Sequence, residues 1–87
     1  MKVLNKWLNI LELTGVKTEA ILPQQVTYPD DLKLKEFIGV DIKEKIIYHT
    51  RPLTENDIVH ELLHIKLPKV SEKDINFLTK ILTTKNA

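Results

Sequence analysis

Residues 57–64 read Asp-Ile-Val-His-Glu-Leu-Leu-His, or DIVHELLH. On a helix, with His60 set at 0°, His64 falls at about 40°, Asp57 at about 60° and Glu61 at about 100°. Ile65, Ile58, Leu62, Val59 and Leu63 occupy the other side, from about 140° to about 300°. The segment is therefore expected to be a helix with two unlike faces. One is a broad apolar arc that can pack on a sheet. The other is a narrow stripe of two imidazoles and two carboxylates.

The i, i+4 spacing places His60 and His64 one turn apart, where both can grip one tetrahedral ion. Glu61 is offset from them. It projects beside such an ion without ligating it, which suits a base for a metal-bound water. The chain has three histidines and two of them fall in this motif. It has no cysteine, so any metal must be held by His, Asp or Glu. HExxH also occurs by chance in unrelated helices, and the same residues can simply be surface histidines and an exposed acid.

Downstream signals are local and strong. Pro52 precedes Thr54, a good N-cap, and Asp57 lies where its carboxylate can close a capping box. A helix over about 55–66 is expected, ended by Pro68. Ser71 caps the next helix, whose apolar stripe is Ile75, Leu78, Ile81 and Leu82. Residues 84–87 are expected to fray. The link Leu67-Pro68-Lys69-Val70 is short, so the last helix should return antiparallel to the motif helix. That return brings acids near the histidines. Catalytic zinc takes three protein ligands and a water. Glu72 is preferred as the third ligand, for its reach and its place at the edge of the apolar arc. Asp74, inside that arc by the wheel, and His49 are the alternatives. Each also has a plainer role: first-turn acid, capping-box acid and exposed strand histidine respectively.

Upstream, Val3, Leu4, Trp7, Leu8 and Leu11 recur at helical spacing, and residues 2–14 read as an amphipathic helix stopped by Gly15. Residues 18–50 carry prolines, β-branched residues and short apolar runs. Strands are expected in AILPQQVTY (20–28), KEFIGVDI (35–42) and KIIYHT (45–50), with DDLK and KEK as connections. In the last run Ile47 and His49 face one way, and Ile46, Tyr48 and Thr50 the other. Tyr48 and His49 are candidates for an exposed sheet edge that aligns substrate, and either of them or Arg51 for an oxyanion contact. The fold class is thus α+β: an N-terminal helix, a small three-stranded and mostly antiparallel sheet, the HExxH helix and a C-terminal helix, in one domain over 1–87.

HELLH, an apolar strand before it and an acid on the next helix together resemble the gluzincin-type zinc metallopeptidases. The likeness is to their small ImmA/IrrE-like and minigluzincin members and spans about residues 37–82. In that family the glutamate helix often reads E-x-x-A-N-x-F-A. Here EKDINFL (72–78) supplies Glu72, Ile75, Asn76 and Phe77 in similar order, one residue tight before the Phe. The family usually places its third ligand much further beyond the second histidine, whereas Glu72 is eight residues past His64. The resemblance implies a minimal zincin-like fold, Zn²⁺ on His60, His64 and Glu72, and hydrolysis of a peptide or protein substrate by a zinc-bound water activated by Glu61. The alternatives are a non-catalytic metal-binding or protein-interaction module on the same scaffold, and an α+β domain that binds no metal.

Composition narrows the rest. The net charge is +1 and the basic residues are scattered, which gives no nucleic-acid footprint. Asn5, Lys6, Asn9 and Glu12 break the apolar run at the start, so it does not read as a leader, and no segment is long enough to span a bilayer. A cytoplasmic protein without membrane partners is expected.

Overall fold

The computed structural model describes residues 2–22 and 37–85. Along the chain these form α1 (Lys2–Ile10), β1 (Lys17–Ala20), β2 (Ile38–Asp41), β3 (Ile46–His49), α2 (Glu55–Lys66) and α3 (Glu72–Lys85). The α+β class and the element order agree with expectation.

The helix α1 stops well before Gly15. Glu12 takes a left-handed conformation (φ 56°). The Leu13 amide donates to the Leu8 carbonyl (2.9 Å) and the Glu12 amide to the Asn9 carbonyl (3.3 Å). This pair of bonds closes the helix end in a Schellman arrangement, with Glu12 in the position usually held by glycine. Gly15 (φ 72°) then turns the chain into β1.

The sheet has the order β1-β3-β2. β2 runs antiparallel to β3, with Ile38 opposite His49 and Asp41 opposite Ile46. β1 runs parallel to β3, with Lys17 opposite Ile46 and Ala20 opposite His49. The sheet is therefore mixed, not mostly antiparallel, because β1 joins the outer side of a β2–β3 hairpin in the direction of β3. The hairpin turns through residues 42–45. There the Glu44 amide donates to Asp41 Oδ1 (3.0 Å) and Lys45 is left-handed (φ 57°). β1 meets the run expected at 20–28 only at Ala20, and residues 23–28 lie outside the described residues.

α2 is the axle of the molecule. It packs against α1, α3 and β2. Its apolar arc supplies Ile58, Val59, Leu62, Leu63 and Ile65 to a core completed by Leu4, Trp7, Val16, Ile47 and Ile75. Burying one such aliphatic side chain stabilises the fold by about 1.5–3 kcal/mol. The N-terminus of α2 is fixed from two sides. Thr54 and Asp57 form the expected capping box, and Asp57 also accepts from Arg51 Nη1 (2.8 Å) and Nη2 (3.1 Å). Burial works against the Asp57 carboxylate, but the bonds from Arg51 and Thr54 outweigh it and hold its pKa below the usual range. From α1, the Trp7 indole N–H donates to Glu55 Oε2 (2.8 Å).

α3 is regular as far as Lys85, so the fraying expected from 84 does not begin there. Its inward face is Ile75, Leu78, Thr79 and Leu82. Ile81, expected in that stripe, is exposed, as is Phe77. The buried Thr79 hydroxyl donates to the Ile75 carbonyl (2.7 Å), which lets a polar residue occupy the face. Among the described residues, no helix is long and apolar enough to cross a membrane.

Candidate metal centre

The site follows from how α2 hands the chain to α3. The Leu67 amide still donates to Leu63 O (2.7 Å), and the Val70 amide donates to Leu67 O (3.1 Å). Ser71 then caps α3 by accepting from the Asp74 amide (3.3 Å). This tight reversal places Glu72, the first residue of α3, over the polar stripe of α2.

Glu72 Oε1 lies 2.5 Å from His60 Nε2, and Oε2 lies 2.9 Å from His64 Nε2. The two Nε2 atoms are 3.2 Å apart, with the rings edge to face at 69°. A tetrahedral ion bound at about 2.0–2.1 Å sets its ligand atoms about 3.3 Å apart. The two imidazole nitrogens match that spacing, and with one Glu72 oxygen the three ligand atoms lie within 4.8 Å of one another, so together they could hold a metal ion. Two imidazole nitrogens and one carboxylate are a donor set suited to borderline divalent ions. The histidines are half-buried and Glu72 is exposed, so the centre is walled on one side and open on the other.

The two alternative ligands lie elsewhere. Asp74 is exposed in the first turn of α3, beside the fully buried Ile75. Its amide bonds the cap, and it is not in the cluster. His49 sits on the central strand and its Nδ1–H donates to the Arg51 carbonyl (2.8 Å).

Glu61 is 7% exposed, the one acid in the buried set among the described residues. Burial raises its pKa to about 7, and the charges of Glu72 and then Asp57 push in the same direction. His60 and Glu61 line two clefts that meet at this point. The first, about 320 Å³, runs from the cluster along Ile38, Gly39, Val40 and Ile42. The second, about 660 Å³, lies between the first turns of α2 and the length of α3.

Tyr48 and His49 line neither cleft. They were expected at a sheet edge, but β3 is the central strand and both its sides are taken. The edge nearest the cluster is β2, which among the described residues pairs only with β3. The Thr50 amide bonds the Phe37 carbonyl (3.0 Å). By the alternation of an antiparallel ladder, Ile38 and Val40 then turn their N–H and C=O groups outward. Arg51 is committed to Asp57 and to the Pro52 carbonyl (3.0 Å), and lines neither cleft. Residues given no site role from sequence are Ile38 and Val40 at this edge, and Asn56, Asn76 and Lys80 in the second cleft. The spacing of Glu72, Asn76 and Lys80, four apart on one face of α3, was the available signal for two of them.

Comparison of the chain with protein-family models, with curated proteins and with solved structures finds no match in any of the three.

Proposed function

We propose that this chain is a minimal zinc metallopeptidase of the gluzincin type. The observation that carries this function is the closure of one Glu72 carboxylate on both histidines, with the buried Glu61 carboxyl beside them. His60, His64 and Glu72 hold the ion. Bound Zn²⁺ supplies Lewis acidity toward a peptide carbonyl and toward the attacking water. The chain's own residues then manage protons and position. Glu61 accepts a proton from the water as its oxygen attacks the carbonyl carbon. It returns that proton to the amine nitrogen as the C–N bond breaks. The outward N–H and C=O groups of Ile38 and Val40 align the substrate as an added strand, the role first expected of Tyr48 and His49.

The test has two parts. Elemental analysis of the purified protein is expected to give one zinc per chain, lost on His60→Ala, His64→Ala or Glu72→Ala and kept on Asp74→Ala or His49→Ala. Zinc-loaded wild type is expected to cleave members of a peptide library, and Glu61→Gln to cleave them at least about a hundredfold more slowly. Equal rates would remove Glu61 from the mechanism. One zinc per chain with no cleavage of any peptide would favour a non-catalytic metal-binding module.

A further inference from the structure

The two clefts differ in chemistry. Beside the cluster, the first is lined by Ile38, Gly39, Val40 and Ile42 of the β2–β3 hairpin. Beyond His60, Glu61 and Ile38, the second is lined by Asn56, Asn76, Lys80 and threonines of α3. Of the charged residues in the second, Asp57 is tied to Arg51 and Glu61 is buried against the centre. Among the described residues, Lys80 is the only lysine or arginine lining it, is exposed, and has no carboxylate in ion-pair reach.

Distance along α3 tells where that cation acts. Glu72, Asn76 and Lys80 follow one another at four-residue steps, so they share one face. Lys80 is two turns on from Glu72, about 12 Å along the axis. An extended peptide advances about 3.3 Å per residue, so this run spans three to four residues of a bound chain. Helical side chains lean toward the helix N-terminus, so the flexible lysine stem brings its ammonium up to about one residue nearer. β2 gives the direction. Antiparallel pairing is the commoner and slightly more stable mode, and a strand added that way runs from Ile42 toward Ile38; only Ile38 of β2 borders the second cleft. The part of the peptide that follows the reacting bond therefore enters the Asn76–Lys80 groove, while the part before it lies on Val40 and Ile42.

We infer that the groove between α2 and α3 is a subsite for a peptide carboxylate, received by Lys80 about two to four residues beyond the reacting bond, with Asn56 and Asn76 bonding the intervening backbone. The carboxylate belongs to an Asp or Glu side chain or to the peptide's own C-terminus. This inference rests on the peptidase proposal for which residues face the reacting bond.

Binding, not turnover, tests it. Zinc-loaded Glu61→Gln protein is titrated with fluorescent peptides of one core sequence, read by anisotropy. The peptides carry Glu, Gln or Lys at each of the four positions after the central bond, each with a free or an amidated C-terminus. The expected result is about threefold to fivefold tighter binding for a carboxylate in the inferred window than for its neutral counterpart, weakening as salt rises. Adding Lys80→Glu is expected to invert the order in favour of Lys. A gain confined to free C-termini assigns the site to the terminal carboxylate, and one that survives amidation assigns it to a side chain. Either outcome supports the subsite. Binding of none of the peptides, or the same ranking with and without Lys80→Glu, overturns it. The peptidase proposal fails separately, if wild type binds zinc and these peptides with the expected preference and cleaves none.

Discussion

Glu61 has two demands on it. It is nearly inaccessible, yet the proposed reaction needs its charge to be available beside the cluster. With its pKa raised from the ordinary 4.5 to about 7, the folded chain holds a proton there that the unfolded chain has released. The stabilising share of this group is full below about pH 4.5 and is lost as pH rises toward 7. In chelator-treated protein the loss should reach up to about 3 kcal/mol between pH 4.5 and 8. Urea denaturation across that range measures it, and Glu61→Gln should flatten the slope over that interval. A slope unchanged by the substitution would mean that another group controls it. Asp57, whose pKa is lowered, acts oppositely and at lower pH, so the comparison of variants isolates Glu61. At this scale the sequence was readable. The helical wheel separates His60, Glu61 and His64 from the apolar arc, and the structure keeps that separation, with one exception. Glu61 is buried beside the sheet and α3, and a single helix cannot reveal what packs over its flank.

Helix ends were legible where a side chain bonds its own neighbourhood. Thr54 with Asp57, Pro68, and Ser71 set α2 and α3 at the expected starts and stops, because capping depends on three or four adjacent residues. The end of α1 was not, since a glutamate does the work that sequence assigns to Gly15. A left-handed conformation costs a residue with a Cβ about 1–2 kcal/mol, part of which glycine returns as unfolded-state entropy. Glu12→Gly is therefore expected to stabilise the chain by about 0.5–1 kcal/mol, seen as a higher thermal midpoint, whereas Glu12→Val should lower it. Strand direction was also hidden. Val40 and Ile47 alternate properly for a half-buried sheet, but the same alternation serves parallel and antiparallel partners. Only the whole chain decides that β1 follows β3. Ile81 shows the converse: it has helical spacing, but none of the described elements covers it.

Across the whole molecule, the cluster joins two elements that otherwise meet through the core, α2 by its histidines and α3 by Glu72. An ion held there fastens them. Zinc at a hundred times its dissociation constant should raise stability by about 2.7 kcal/mol. Glu72→Gln should abolish most of that gain while leaving the chelated protein's stability within about 0.5 kcal/mol of wild type, because Glu72 is exposed. Calorimetry with and without zinc checks both. Nearness of Glu72 could be foreseen from a link only a few residues long. The clefts could not, since they join Ile38 to Lys80 across the chain, and no local pattern relates the two. The bond from Trp7 to Glu55 has an optical consequence. Trp7 is the sole tryptophan, fully enclosed, and its indole hydrogen reaches the first residue of α2. Its emission is thus a built-in gauge of whether α1 is seated on α2. It should redden in step with loss of helical signal if the chain opens all at once, and ahead of it if α1 lifts away first.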